Sequence, residues 1–479
     1  MGLSSPTSWE LNFSVGRKIG QITQGIKCDD AGKYDLIDEA NAPDDYEGRR
    51  TRTGSGSPTP ARALTWRGPN SRSAKRGAIS LERTMSYKAI YAYPWDIVEA
   101  GRDAAIERFA ELGLDTVTVA GAYHAGKFLR PHGTRGKVYF PEDGTVYFRP
   151  RSERYSQIRP LPNQLLSQGD PLRELCAQSR LSVNVWLVLL HNSQLCARHP
   201  EATVANAFGD RYVYSLCPAA PHVRDYAIAL AADVASAYPV RGLSLETPGY
   251  LPYAHGYHHE FALNRPNAWL DNQLGLCFCD HCLDGARHAG VDAECLRRRV
   301  ASDVQSYLAS DVEFPSDMAE AFWLADTRSD GELKAYLDWR CEVVTSLVRE
   351  IRAAAPEDVE IAVIPSVARP SAGAWYEGSD LAALARAAGI LEACLYEPGS
   401  ARVKADLFDL RRRLRGKARL RGILRPAYPD FNSRDDFVEA MRALGRDGVE
   451  EIGFYNWGHL RDSNLEWIPD GLAALAAPA

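Results

Sequence analysis

The chain has 479 residues, of which 45% are hydrophobic and 25% are charged, and its formal net charge at pH 7 is −6. This is ordinary globular composition without a basic stripe, so no nucleic-acid partner is expected. No apolar run reaches the ~18 residues that a membrane-spanning helix needs, and the N-terminus lacks the features of a secretory signal. Most of the ten cysteines stand singly in apolar segments. We therefore expect a cytoplasmic protein with no membrane partner and no disulfide framework.

Residues 1–84 differ in composition from the rest of the chain. Arg, Gly, Ser, Pro and Asp dominate from Asn41 to Arg83, and no apolar periodicity persists there. This pattern predicts a disordered N-terminal segment, or an extension outside the native protein if translation begins at Met85. In either case residues 85–479 form the folded domain, and deleting residues 1–84 should leave the melting temperature and any activity nearly unchanged.

Strand-like and helix-like segments alternate from Met85 to the C-terminus. Eight apolar strands, each followed by a helix, predict a parallel sheet closed into a (β/α)8 TIM barrel. An open doubly wound sheet is the rival, but the first turn, YAYPWD, lacks its G-x-G-x-x-G motif. A long insertion, about 251–330, follows strand four, and Asp143-Gly144 predicts a hairpin within VYFPEDGTVYF. The predicted strands are Tyr87–Tyr93, Thr116–Ala120, Ser182–Leu190, Val240–Glu246, Val359–Ser366, Leu391–Glu397, Leu420–Arg425 and Glu451–Trp457.

The ends of these strands are rich in polar and aromatic residues. Since a TIM barrel carries its active site at the C-terminal ends of its strands, we expect these side chains to converge on one substrate. Any single one is more often a rim residue, so the prediction depends on the set. The candidates for substrate binding are Tyr93, Trp95, Asp96, Tyr123, His124, His191, Asn192, Tyr250, Tyr396, Arg425, Asn456 and Trp457.

Two carboxylates, Glu246 and Glu397, end apolar strands directly. Glycoside hydrolysis needs such a pair, one as acid and one as base or nucleophile, and aromatic rings suit sugar C–H faces. We predict Glu246 as nucleophile or base, and Glu397 as the general acid with a raised pKa, in a retaining reaction. A barrel-mouth salt bridge of Glu246 with Arg425 or with a loop arginine is the structural alternative. Asp96 and Asp430 are the next acids to consider.

The stretches LSLETPGY and LGLCFCDHC resemble bacterial (β/α)8 proteins classed as glycoside hydrolase-like, and the resemblance covers residues 85–479. It implies a carbohydrate substrate. The large clan with carboxylates at strands four and seven has Asn-Glu at strand four, where this chain has Leu245-Glu246. The alpha-galactosidase-like clan is similar in placing carboxylates at strands four and six, although those are Asp and here both are Glu.

Three cysteines, Cys277, Cys279 and Cys282, lie within six residues. They could supply three of the four ligands of a structural zinc, with Cys217, His255, His258 or His259 as the fourth; otherwise they are reduced cysteines packed in a tight loop. No cofactor is expected for catalysis. Two other functions stay open: a metal-dependent sugar isomerase or epimerase on the same barrel, and a non-catalytic carbohydrate-binding barrel.

Overall fold

The computed structural model describes residues 26–28, 34–36, 86–255, 267–366, 368–416 and 418–477. The chain divides into two compact units, Met1–Ala78 and Ile79–Ala479. In the first, strand Ile26–Cys28 pairs antiparallel with strand Tyr34–Leu36. Most of the segment predicted to be disordered lies outside the described residues.

The second unit is built on eight parallel strands that close into a ring. Each strand pairs with the next one along the chain, and β1 pairs with β8 as well as with β2, through Tyr87 opposite Glu451 and Ala89 opposite Thr116. The predicted TIM barrel is therefore confirmed. The strands are β1 Tyr87–Ala92, β2 Thr116–Tyr123, β3 Ser182–Val188, β4 Gly242–Glu246, β5 Glu360–Val363, β6 Gly389–Cys394, β7 Arg419–Leu424 and β8 Glu451–Phe454.

Helices cover the outside of the ring and form the insertion after β4. A representative outer helix is α13, which Ser433 caps and which buries Phe437, Ala440, Met441 and Leu444 along one face. No helix in the described ranges combines the length and the apolar character needed to cross a membrane. The helices are α1 Pro94–Ala100, α2 Arg102–Glu111, α3 Pro171–Cys176, α4 Ser193–Arg198, α5 Pro221–Ala237, α6 Ala268–Leu274, α7 Asp280–His288, α8 Ala293–Ala309, α9 Ser316–Ser329, α10 Gly331–Ala354, α11 Leu381–Ala388, α12 Ser400–Leu414, α13 Arg434–Arg446, α14 Asp462–Leu465 and α15 Ile468–Leu475.

The insertion after β4 has an apolar core of its own. Helices α6 to α9 and the first half of α10 enclose Trp269, Phe278, Leu296, Trp323 and Tyr336, all of them buried. The C-terminal half of α10 packs instead on the barrel core, through residues such as Leu347. The insertion is thus a small helical layer that is continuous with the barrel through α10.

The hairpin predicted within VYFPEDGTVYF is wrong. Strand Val138–Tyr139 pairs with Phe128–Leu129, whereas Thr145–Val146 pairs antiparallel with the end of β2. Because β2 continues past Ala120, its last backbone groups need partners, and Thr145–Val146 supplies them. The predicted turn at Gly144 does exist, with φ of +63°.

Charged side chains fill the barrel near the N-terminal ends of its strands. The Arg421 guanidinium is fully buried, donates from Nε to Glu451 at 3.0 Å, and lies 3.4 Å above the Tyr87 ring. Glu392, also fully buried, accepts from the Ser244 hydroxyl and lies 3.7 Å from Arg421. Glu360 pairs with Arg421 as well. Each of these acids therefore has an arginine partner.

Candidate active site

Glu246 is the last residue of β4 and lies at the C-terminal mouth of the barrel. Side chains alternate along a strand, so Glu246 points to the same side as Ser244, which is inside the barrel. Its carboxylate accepts a hydrogen bond from the Trp186 indole on β3, and it is partly exposed. Burial raises the pKa of Glu246 to about 7, against the opposing effect of that hydrogen bond.

The alternative of a salt bridge between Glu246 and Arg425 is wrong. Arg425 instead makes a two-pronged contact with Asp430, whose carboxylate is buried. Within the described ranges, Glu246 has no ion-pair partner, and Trp186 is its hydrogen-bond donor. A carboxyl group that is partly withdrawn from water and has no cation beside it favours its protonated form, which accounts for the raised pKa.

A second carboxyl group, that of Glu377, lies beside Glu246 and was not among the predicted site residues. It ends the short 3-10 helix Ser371–Glu377 after β5, is 6% exposed, and accepts from the Ser366 hydroxyl. Burial raises the pKa of Glu377 to about 8, and the charge of Glu246 raises it further, while Ser366 and Arg369 oppose the shift. Glu246 and Glu377 line one cavity of about 10 Å³, roughly the room that one water molecule needs.

The Pro248-Gly249-Tyr250 sequence after β4 explains how Glu377 is brought to the mouth. The Tyr250 N–H donates to the Glu377 carbonyl at 3.0 Å, which joins the loops after β4 and β5. A Cβ on Gly249 would lie 2.4 Å from the same carbonyl, so only glycine allows this approach. The glycine was therefore a usable signal that another segment packs there, but it did not identify the segment.

Aromatic side chains form the wall of the mouth next to Glu246. The Tyr93 hydroxyl lies 3.0 Å from those of Tyr123 and Tyr455, and the Tyr93 ring stacks on Trp95 at 4.3 Å between centroids. Burial, and to a lesser degree the charge of Glu246, raises the pKa of Tyr455 to about 12, against the effect of its hydrogen bonds to Tyr93 and Tyr123. Tyr93, Trp95 and Tyr123 are buried and Tyr455 is partly exposed. The predicted aromatic platform is thus mostly a supporting wall.

Glu397 lies on the β6 side of the mouth and is 1% exposed. Its carboxylate accepts from Arg402 Nε on α12 at 2.7 Å. The neighbouring Tyr396 ring, partly exposed, lies between two guanidinium groups, 4.7 Å from Arg369 and 4.3 Å from Arg425. Of the two predicted carboxylates, Glu397 is the one with a cation beside it.

Two of the predicted substrate-binding residues are engaged in contacts behind the mouth. Asp96 is buried, pairs with Arg130 Nε at 2.6 Å, and has its pKa raised to about 6 because burial outweighs that pairing. Trp457 packs edge-on against Phe109 of α2 and stacks on His132. Both therefore contact the outer layer of the barrel.

Three further predicted residues follow β3 and β8. Asn192 caps α4 and donates to the Gly144 carbonyl at 3.0 Å, and the Asn456 side chain accepts from the Gly458 N–H at 2.9 Å. Both side chains hold loops. His191, by contrast, stacks on His124, which was also predicted, at 4.3 Å, and this pair lies among the loops after β2 and β3.

The three clustered cysteines meet a fourth thiol, Cys217. The Sγ atoms of Cys217, Cys277, Cys279 and Cys282 all lie within 4.8 Å of one another. His255, one of the predicted fourth ligands, contacts the His191 ring instead. His258 and His259 lie outside the described residues. The predicted Tyr250 also faces this cluster, with its hydroxyl 3.5 Å from Cys282 Sγ.

Similarity to known proteins is confined to solved structures. No family model matches the chain, and no curated protein matches it. The glycoside hydrolase domain of PgaB from Bordetella bronchiseptica is 14% identical with a TM-score of 0.49, over 81% of this chain and 98% of that one. A beta-galactosidase from Marinomonas ef1 is 12% identical with a TM-score of 0.45, over 81% and 59%. An alpha-L-fucosidase from Paenibacillus thiaminolyticus is 12% identical with a TM-score of 0.44, over 81% and 49%. This chain thus spans only about half to three fifths of the last two.

Proposed function

We propose that this protein is a glycoside hydrolase in which Glu246 and Glu377 are the two reacting carboxyl groups. The observation that carries the proposal is that Glu246 and Glu377 line the same cavity at the C-terminal end of the barrel. Their hydrogen-bond donors, Trp186 and Ser366, are neutral. Glycosidic bond cleavage requires a pair of carboxyl groups, one of which holds a proton while the other is ionised.

The two raised pKa values support one assignment of the roles. The pKa of Glu377 is about 8, and the charge of Glu246 contributes to raising it, so near pH 7 Glu377 keeps its proton while Glu246, with a pKa of about 7, ionises first. Glu377 is then the general acid and Glu246 the nucleophile or base. Glu246 is also the more exposed of the two, which suits the group that contacts the sugar.

The proposed reaction is a retaining one, for which the two carboxyl groups must lie about 5 Å apart. The Glu246 carboxylate attacks the anomeric carbon, and Glu377 gives its proton to the leaving oxygen. Water then attacks the glycosyl-enzyme, gives a proton back to Glu377, and releases the sugar from Glu246. The partly exposed Tyr396 and Tyr455 are placed to contact the sugar ring.

The experiment is a screen of aryl-glycosides that differ in sugar and anomer, followed by trapping with the matching 2-deoxy-2-fluoro glycoside. Mass spectrometry should find one sugar attached to Glu246. Glu107→Gln, on an exposed side chain of α2, serves as the control variant. Sugar binding without turnover in wild type would indicate a binding barrel, and a rearranged sugar product that disappears with chelator would indicate an isomerase.

A further inference from the structure

The four clustered cysteines come from two segments that are separate in sequence, one before α5 and one in the insertion after β4. Cys217 directly follows strand Arg211–Leu216, and the other three stand at the start of α7. Cys277, Cys279 and Cys282 pack with the barrel core, whereas their neighbour Phe278 packs in the core of the insertion. The cluster therefore lies where the insertion meets the barrel.

The distances between the sulfur atoms match a tetrahedral metal site. Cys217 Sγ lies 3.4 Å from Cys282 Sγ, 3.5 Å from Cys279 Sγ and 3.9 Å from Cys277 Sγ. Four thiolates bound to zinc with bonds of ~2.3 Å would be about 3.8 Å apart. A disulfide needs about 2.05 Å, and all four cysteines are free. Packing of reduced thiols as small apolar groups does not require four of them to converge on one point.

A buried arginine beside the cluster gives an independent reason to expect negative charge there. Arg340 is 2% exposed, and within the described part of the chain no carboxylate pairs with it. Its guanidinium lies 4.2 Å above the Tyr250 ring, whose hydroxyl contacts Cys282, and it donates to the Gly275 carbonyl just before Cys277. An uncompensated buried charge is costly. Four thiolates with Zn²⁺ carry a net charge of −2, which would give Arg340 an anionic neighbour, whereas four neutral thiols would not.

We propose that Cys217, Cys277, Cys279 and Cys282 bind one structural zinc ion. With four protein ligands the site is closed, so its role is to hold the insertion on the barrel and not to act on substrate. Tyr250 connects the two sites, because it contacts Cys282 and also lines the cavity of Glu246 and Glu377. The zinc would thereby fix the loop that carries Gly249 and Tyr250.

The test uses the full-length protein, expressed with added zinc and dialysed. Elemental analysis should find about one zinc per chain, and X-ray absorption should show four sulfur ligands at ~2.3 Å. Cys217→Ser should lose that zinc, whereas the control Cys341→Ser, a half-buried cysteine outside the cluster, should keep it. If Cys217→Ser fails to fold, the wild-type measurements still decide.

A metal-free wild-type protein with four titratable thiols at these positions would overturn the proposal. A zinc bound through nitrogen or oxygen, or iron in place of zinc, would overturn it too. Removal of zinc with a strong chelator should also lower the melting temperature by several degrees, because binding energy at a structural site is folding energy. This readout is independent of glycosidase activity, so its failure is distinguishable from failure of the proposed function.

Discussion

The two ends of the barrel bury carboxyl groups in opposite ways. At the N-terminal end, Glu360 and Glu451 are surrounded by Arg419 and Arg421. Burial would raise the pKa of Glu360, but Arg241 and the other two arginines outweigh it, so that its pKa is lowered. Glu360 is thereby held in its ionised form, and both acids pair with arginines.

At the C-terminal end, Glu246 and Glu377 meet neutral donors, and burial raises the pKa of both. The same residue type is therefore kept charged at one end and able to hold a proton near neutral pH at the other. The hydrogen-bond partner of a buried glutamate therefore helps to indicate its role. An arginine partner keeps the carboxyl group charged, whereas a hydroxyl or an indole partner leaves it able to gain or lose a proton near neutral pH.

The largest effect should come from Glu246→Gln. It removes the proposed nucleophile while keeping the Trp186 hydrogen bond, since the amide oxygen can still accept. We expect kcat to fall by about 10²–10⁴-fold, the range of a lost general acid or base. The melting temperature at neutral pH should not fall, because a neutral Gln avoids ionising a carboxyl group whose pKa is raised to about 7. Steady-state kinetics on the best aryl-glycoside measures this. Near-normal turnover of Glu246→Gln would show that Glu246 is not a reacting carboxyl group.

The opposite end is tested by Arg421→Met. This change leaves Glu451, Glu392 and Glu360 without a buried cation, and loss of one partner of a buried ion pair costs about 3–5 kcal/mol of unfolding free energy. Urea unfolding measures that loss, and turnover per folded molecule should stay close to wild type. If Arg421→Met is as stable as wild type but inactive, the N-terminal end of the barrel takes part in catalysis, which contradicts the proposed site.

Glu377→Gln should stabilise the protein at high pH, which is the opposite of the effect expected for a carboxyl group at the N-terminal end of the barrel. Glu377 has a raised pKa, so the folded state holds a proton that the unfolded state releases, and stability falls as pH rises from about 4.5 to about 8. A neutral Gln avoids that loss. At pH 9 the variant should be less active but more stable than wild type, by roughly 5 kcal/mol for a pKa raised from 4.5 to about 8.

Glu451→Gln is the matched comparison for Glu377→Gln, because Glu451 pairs with Arg419 and Arg421. It should lower stability, because the substitution removes the ion pairs with Arg419 and Arg421. Melting temperatures of the three proteins between pH 5 and pH 9 give both signs in one experiment. If the two variants shift in the same direction, the distinction between the ends does not hold.

The barrel could be predicted from the sequence because eight apolar strands alternate with helices. The spacing of apolar residues that identifies each strand or helix lies within that segment and does not depend on long-range contacts. Glu246 was readable too, since it ends its strand directly. Glu377 was not, because it stands at the far end of the loop after β5 and reaches the mouth only through the Tyr250 backbone contact. Cys217 was one of several residues that could supply the fourth zinc ligand, and only the folded structure shows that its thiol lies beside the other three. Long-range contacts of this kind leave no periodic pattern.

Glu397→Gln should have the smallest effect, and it tests the pair that strand position alone favours. Glu397 accepts from Arg402, whose side chain is 60% exposed, so water can hydrate the guanidinium once the charge of Glu397 is removed. A Gln oxygen can still accept that hydrogen bond. We expect turnover to fall less than tenfold, which is less than ~1.4 kcal/mol in the barrier, and stability to change by about 1 kcal/mol or less. A loss as large as that of Glu246→Gln would instead make Glu397 the second reacting carboxyl group. Glu377 would then only influence the pKa of Glu246 and would not contact the substrate. Kinetics of the two single variants and the double variant Glu377→Gln/Glu397→Gln decide between these assignments, because the residue that acts with Glu246 is the one whose single substitution accounts for nearly all of the loss.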